Sequence, residues 1–377
     1  MKTVEWVIKA SKLCNLRCAY CYEWNSLANT QRIAVEEWRQ ILAAIRDYHV
    51  LLARQLQHPI ETRLIWHGGE PLLLPASYLD EVMAIQHEVL AGLPHRLLLQ
   101  TNLYKVSDAH LDVLSAHDVG LGISLDVVAG VRLTAGGQET RHAVAANMDR
   151  LTARGILYGA ITVAARHNIG RLREVHDFWA RRGVGFRVLP LFQGPDERPL
   201  DVFEASDEEL VVAVSDLFDH WVESGRVIDV APLSEWLADV LRKLVGLHVP
   251  TYDRRSGGER VLLVETNGDL LTTDERGMAE ARLGNLFGES MEQILAGPRY
   301  AASLARTEAK TARVCGGCVH AGFCDGYPAH AEPFEEVPGG RCPVTAAVHD
   351  HIEAYLLGNG FGPDRLLGWL RSAATAA

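Results

Sequence analysis

The chain has 377 residues, 48% of them hydrophobic and 23% charged, enough to bury a large core and to form one big domain with a smaller one. Its formal net charge of −11 excludes a general nucleic-acid binder, because neutralising phosphates requires a surplus of Lys and Arg. No apolar run approaches the ~20 residues of a membrane span and the N-terminus carries no signal-peptide pattern, so the expected setting is cytoplasmic, without membrane contact.

Apolar runs of strand type alternate with segments of helical period, which predicts a parallel sheet covered by helices. In chain order the expected pairs are strand Thr3–Ala10 with helix Val35–Leu56, strand Arg63–His67 with helix Ser77–Leu90, and strand Arg96–Thr101 with helix Asp108–Ala116. Strand Val119–Leu125 then precedes helix Thr140–Ala153, strand Leu157–Val163 precedes helix Arg171–Arg182, and after strand Gly185–Leu191 the loop "FQGPDERPLDVFEAS" displaces the sixth helix. Six units are too few to close an eight-stranded barrel. The expected fold is therefore α/β, an open, partial (β/α)6 barrel over residues 1–200, with its active site at the C-terminal strand ends.

Two Trp-containing helices, Ser206–Ser224 and Leu233–Leu244, are expected to bridge across residues 201–258. In "RVLLVETNGDLLTT", Asn267-Gly268 separates two apolar runs, a strong hairpin signal. That hairpin is expected to open a smaller domain, 259–377, which continues through a helical stretch near Met291–Thr307 to a Cys-rich loop and a closing helix Val344–Leu357.

The seven cysteines fall into two sets. Short spacings in a chain of this kind favour metal or redox chemistry over disulfides. "KLCNLRCAYCYEW" places Cys14, Cys18 and Cys21 in the loop after the first strand, with Tyr20 just before the last thiol. Four thiolates complete a structural zinc site or a fully ligated iron–sulfur cluster; three leave one metal position open. A zinc knuckle borrowing a distant His, or three buried structural thiols, is the plainer alternative. The second set is "VCGGCVHAGFCDGYPAH" with "GGRCPV", giving Cys315, Cys318, Cys324 and Cys342. Four thiols with a tight leading pair suit either an auxiliary 4Fe–4S cluster or a structural zinc. His320 and His330 lie nearby and are expected on the surface or beside the ligands.

The C-x3-C-x-Tyr-C spacing of the first set resembles the signature of radical S-adenosylmethionine (SAM) enzymes. That resemblance implies a 4Fe–4S cluster whose open iron is chelated by SAM, and reductive cleavage of SAM to methionine and a 5′-deoxyadenosyl radical. It also implies a reducing partner such as flavodoxin or ferredoxin. Other strand ends carry the likeness further. "WHGGEP" supplies Gly68, Gly69 and Glu70, similar to the family's glycine-rich motif that holds the SAM amino group, and the Glu70 carboxylate can pair with an ammonium. "QTN" (Gln100 to Asn102) and "SLD" (Ser124 to Asp126) resemble positions lining the SAM pocket, with Ser124 near the methionyl carboxylate and Arg132 or Arg141 as its charge partner.

The tail resembles the SPASM/twitch extension of radical SAM enzymes that modify peptides and proteins. A complete SPASM domain binds two auxiliary clusters, whereas here its last cysteine position holds Pro328 and the hairpin position holds Thr273. The remaining ligands imply one auxiliary 4Fe–4S cluster, the more distal one. Asp274 follows the missing hairpin cysteine, where sulfatase-maturing relatives keep an aspartate as general base; a turn-stabilising Asp is the alternative.

These features look most like a maturase of a ribosomally synthesised precursor peptide, forming a C–C crosslink (a cyclophane). A separate leader-binding domain before the first strand is not expected, and a precursor is expected to dock on the catalytic or tail domain. The runner-up is oxidation of Ser or Cys to formylglycine in a sulfatase. Thioether- or ether-forming maturation, peptide epimerisation and small-molecule dehydrogenation also remain open. From a different class comes a non-catalytic zinc protein that uses the tail for interaction.

Overall fold

The computed structural model describes residues 2–128, 130–191, 200–226, 228–272, 279–326 and 342–367. They cluster into two compact units. The first comprises Met1–Thr162, Phe192–Leu200 and Arg254–Ala305, and the second Val163–Leu191, Asp201–Asp253 and Arg306–Ala377.

In the first unit, β1 (Lys2–Ser11) leads into the short β2 (Leu16–Cys18), then α1 (Val35–Leu56), β3 (Ile60–Gly68), α2 (Ala76–Val89), β4 (His95–Thr101), α3 (Asp108–Ala116), β5 (Gly120–Ser124), β6 (Arg132–Thr134), α4 (Arg141–Ala153) and β7 (Tyr158–Ala164). The second unit holds α5 (Leu172–Arg182), β8 (Phe186–Pro190), α6 (Asp207–Glu223), β9 (Val230–Ala231) and α7 (Leu233–Val245). After these come α8 (Arg254–Gly257), β10 (Val261–Val264), β11 (Asp269–Thr272), β12 (Arg282–Asn285), α9 (Met291–Ala296), α10 (Pro298–Cys315) and α11 (Pro343–Gly358).

Within the first unit the strand order is β12-β11-β10-β1-β3-β4-β5-β7, with β1, β3, β4, β5 and β7 parallel. The six predicted strands are present within a few residues of their expected bounds. Alternate residues of β1 and β3 point into the core, and Trp6, Ile8, Leu64 and Trp66 have no exposed surface. α1 covers this face with Trp38, Ile41, Leu42, Ile45 and Leu52, an i, i+3, i+4 stripe; fully burying such an aliphatic side chain contributes about 1.5–3 kcal/mol. Trp38 stacks on Trp66 with ring centroids 4.4 Å apart. Their indole N–H groups donate to Tyr78 Oη (2.7 Å) and Gln86 Oε1 (3.2 Å), so neither polar atom is buried unpaired.

Two placements differ from expectation. The hairpin β10–β11 does not open a separate domain: β10 runs parallel to β1, pairing Glu5 through Ile8 with Val261 through Val264. A β1 edge left bare would expose unpaired backbone groups, and β10 covers it. The helices expected to bridge, α6 and α7, cluster with the cysteine-rich tail, because α11 packs on both. α6 opens with a capping box, Ser206 Oγ accepting from Glu209 N–H (3.1 Å) and Glu209 Oε2 from Ser206 N–H (2.8 Å). The expected helix Met291–Thr307 divides at Gly297-Pro298 into α9 and α10, as Pro at a first helical position favours. Among the described residues no helix is long and apolar enough to cross a membrane.

Candidate active site

The three-cysteine loop is placed by backbone contacts. At the end of β3, Gly69 N–H donates to Ser11 O and Glu70 N–H to Leu13 O, both 2.8 Å. A Cβ on Gly69 would lie 2.3 Å from Lys12 O and 2.4 Å from Leu13 O; one on Gly68, at φ +130°, would lie 2.0 Å from Ser11 O. The glycines of "WHGGEP" thus let β3 lie directly against the chain entering Cys14. Beyond it, β2 pairs antiparallel with β6, setting Cys18 opposite Arg132. Cys14 N–H is tied to Leu27 O (3.0 Å), and Cys21 N–H to Cys18 O (3.0 Å).

None of the seven cysteines is joined in a disulfide. Donors are aimed at two sulfurs of the loop: Leu16 N–H (3.4 Å) and Asn102 Nδ2 (3.7 Å) at Cys14, and Arg132 Nη1 (3.9 Å) at Cys18. Such donors suit thiolate ligands. Burial pushes the Cys14 thiol up to about 12, that of Cys21 to about 11, and that of Cys18 upward as well. Without metal these thiols stay protonated near neutral pH, and metal binding must displace their protons. Three thiols in one loop, supplied with donors, fit a site-differentiated iron–sulfur cluster.

The predicted pocket residues divide by partner. Asp126 is buried; its Oδ2 accepts from Tyr20 Oη–H and from Arg132 Nε (2.8 Å), and its Oδ1 has no hydrogen bond. The Arg132 guanidinium also lies over the Tyr20 ring, 5.7 Å from its centroid. Gln100 Nε2 donates to Ser124 Oγ (2.7 Å), crossing a space that a side chain at Gly122 would fill. Asn102 Nδ2 also donates to Asn15 Oδ1 (2.9 Å). Glu70 points inward: Oε1 accepts from Thr101 Oγ1–H (2.7 Å) and Leu72 N–H (3.0 Å), and Oε2 from Asn102 N–H (2.7 Å). Burial, opposed by those hydrogen bonds, raises its pKa to about 7. Its carboxyl joins the end of β3 to the end of β4. Arg141 is directed elsewhere, with Nη1 on Val127 O (3.0 Å). Asp274, Thr273, Pro328 and His330 lie outside the described residues.

Sequence reasoning passed over a second polar group beside this loop. Lys9, buried on β1, pairs with Glu23 from the cysteine loop and with Glu265 after β10 (2.6 Å). Burial works to lower the Lys9 pKa, but Tyr22, Glu23 and Glu265 outweigh it and hold the ammonium well above its usual range. His67, next to the glycines, is held neutral by burial and by Lys9, its pKa lowered to about 4, and its Nδ1 is sealed from solvent without a partner. A Lys inside the apolar run "VEWVIKAS" was the available signal.

The second cysteine set lines a small cavity of about 30 Å³ in the second unit, together with His320, His349, Thr251 and Thr345. Cys315 closes α10 and Cys342 caps α11, a position whose helix dipole favours a thiolate. The intervening loop is cradled by α7 and the segment after it. Arg242 Nε donates to Phe323 O (3.2 Å), Val249 N–H to Gly322 O (2.7 Å) and Tyr252 N–H to Asp325 O (2.5 Å). Burial raises the thiol pKa of Cys315 and, more strongly, of Cys324. His320 is not at the surface: it is 3% exposed, with Nε2 2.8 Å from Asp350 Oδ1. Four thiols around one small cavity are a donor set that suits an iron–sulfur cluster or a zinc ion.

The profile of the radical SAM superfamily matches residues 8–178. Residues 8–178 form a radical SAM domain, and the chain is a radical SAM enzyme. Among its relatives, the serine-type anaerobic sulfatase-maturating enzyme of Bacteroides thetaiotaomicron is 22% identical over 314 residues, covering 75% of this chain and 72% of its own. The serine-type enzyme of Klebsiella aerogenes is 25% identical over 286 residues, covering 74% and 68%. Among solved structures, native anSMEcpe with bound AdoMet and Cp18Cys peptide aligns at a TM-score of 0.72 and 15% identity, over 98% of this chain and 99% of that one. Streptococcus suis SuiB bound to precursor peptide SuiA aligns at 0.55 and 15% identity, over 80% and 66%. At these identities the structural likeness speaks to the fold, which is the α/β partial barrel expected.

Proposed function

We propose that this enzyme modifies a peptide or protein by radical SAM chemistry, and that its product is a C–C crosslink between an aromatic ring and a neighbouring β-carbon of a ribosomally made precursor. The observation that carries this reading is the pairing, in one chain, of an open three-thiol site with a cavity lined by four further thiols. Support for a peptide substrate comes from the fold, shared with anSMEcpe and SuiB, whose structures carry bound peptides.

When bound, SAM and the cluster supply a 5′-deoxyadenosyl radical, able to take hydrogen from unactivated carbon. Cys14, Cys18 and Cys21 hold the iron. Gly68, Gly69 and Glu70 are assigned to the SAM amino group, and Gln100, Asn102 and Ser124 to the pocket wall. Of the two candidate arginines, Arg132 is preferred for the methionyl carboxylate, since its guanidinium faces Cys18 while Arg141 is bound to Val127 O. Tyr20 and Asp126 orient Arg132 from behind.

Joining a ring carbon to a β-carbon removes two protons and two electrons from the peptide, that is, two hydrogen atoms. One electron would leave with the hydrogen atom taken by the SAM-derived radical; Asp274 is assigned as the base for the ring proton, and Cys315, Cys318, Cys324 and Cys342 would hold an auxiliary 4Fe–4S cluster that would supply an acceptor for the second electron. A flavodoxin or ferredoxin supplies the initiating electron.

The named relatives favour a second reading, formylglycine formation in a sulfatase. The two readings separate by product. Enzyme, SAM and reductant are incubated without oxygen, in turn with a precursor peptide encoded beside the gene and with a sulfatase peptide. Loss of two hydrogens with suppressed fragmentation between two residues of the precursor is the expected result. A hydrazine-reactive aldehyde on the sulfatase peptide, with the precursor unchanged, would replace crosslinking by formylglycine formation.

A further inference from the structure

Four thiols close the second cysteine site, yet two more polar groups face it. Asp239 on α7 and His349 on α11 bring a carboxylate oxygen and an imidazole nitrogen within 4.8 Å of the Cys324 sulfur and of each other. His349 is 1% exposed, and its Nε2 makes no hydrogen bond but lies 3.4 Å from Asp239 Oδ2. Asp239 Oδ1 pairs with Arg242, the residue that also holds the backbone of Phe323 beside Cys324. Both His349 and the cysteines line the same cavity. With metal bound, the Cys324 sulfur is a thiolate. Carboxylate and thiolate then face each other in a site of low polarity, with Arg242 and His349 as the charges and dipoles that offset them.

We propose that Asp239 and His349 set the reduction potential of the cluster held by Cys315, Cys318, Cys324 and Cys342, acting from its Cys324 corner. The inference rests on that site holding iron and sulfide. Cluster potentials follow local charge and hydrogen bonding at the sulfurs. The carboxylate opposes the added electron and lowers the potential. His349, facing that carboxylate, offsets part of its field and raises the potential. Neither residue is a ligand, and both act through Cys324 as positioning residues for charge. An acceptor of an electron from a substrate radical requires such control.

The test is a redox titration of the anaerobically reconstituted full-length enzyme, followed by electron paramagnetic resonance, beside Asp239→Asn and His349→Phe. Asp239→Asn keeps the side-chain shape and removes the charge, so the auxiliary midpoint should move to more positive potential. His349→Phe keeps the ring packing against Trp236 and removes the offset, so the midpoint should move to more negative potential. The signal of the three-cysteine cluster serves as the internal reference and should not move. Shifts of opposite sign separate an electrostatic role from a packing defect, and either variant decides alone if the other fails to load. About eight irons per chain with an unmoved auxiliary midpoint, or with both variants shifting the same way, overturns this inference only. About four irons with zinc in the tail overturns the auxiliary-cluster reading and this inference together.

Discussion

Cys14, Cys18 and Cys21 hang from the end of a parallel strand, whereas Cys315, Cys318, Cys324 and Cys342 sit at two helix ends and the loop after α10. The first set is held by sheet register and by backbone contacts so close that only glycine fits opposite them. Its surroundings are hydrogen-bond donors and a buried Tyr–Asp–Arg group, and the loop itself supplies three thiols. The second set gathers four thiols around one cavity, with Asp239 and His349 beside Cys324. Open coordination suits binding and cleaving a cofactor; closed coordination suits holding an electron.

The largest effect should separate the two sites outright. Changing Cys14, Cys18 and Cys21 together to Ala should abolish SAM cleavage and lower iron from about eight to about four per chain. Changing Cys315 and Cys318 to Ser should remove the other iron while leaving cleavage of SAM in place, measured as 5′-deoxyadenosine. Loss of SAM cleavage in both variants would break the comparison.

Next comes the charge group behind Cys18. Arg132→Met leaves the Asp126 carboxylate, which has no exposed side-chain surface, without its ion-pair partner. Breaking a buried pair in this way costs about 3–5 kcal/mol, readable in urea unfolding of the metal-free protein. Adding Asp126→Asn should recover a large part of the loss. An unchanged midpoint in the single variant would show that the pair does not hold this side of the site.

The smallest of the three is steric. Gly69→Ala pushes a methyl group into the backbone of Lys12 and Leu13, at about 1–3 kcal/mol for overpacking. Because the displaced segment leads straight into Cys14, iron should be lost from the first site and retained in the second. Equal loss from both would mean a global defect rather than a local one.

Much of the first site was legible from local pattern. The apolar alternation of β1, the Cys spacing, and the polar residues at the ends of β3, β4 and β5 are near-neighbour features, and each lies where a parallel strand ends. The glycines of "WHGGEP" were read as room for a ligand, and they also make room for the cysteine loop itself. Glu70 was read as a partner for an ammonium, and its oxygens also accept hydrogen bonds from Thr101, Leu72 and Asn102, which no local pattern announced. The hairpin was correctly read as a hairpin and misplaced as a domain opening, because a short strand carries no mark of the edge it will join. His320 was expected either at the surface or beside the ligands, and it is buried beside the cysteines, a choice its sequence neighbours do not make.

Spacing and periodicity, which act over a few residues, were enough to define the elements and the two thiol sets. Folding alone decided the long-range meetings: Asp126 with Tyr20 and Arg132, Lys9 with Glu23 and Glu265, and Asp239 with His349 beside Cys324. Most of these partners lie far apart along the chain, so their contact depends on strand register and helix packing. Those are set by burial of the whole core and leave no local trace.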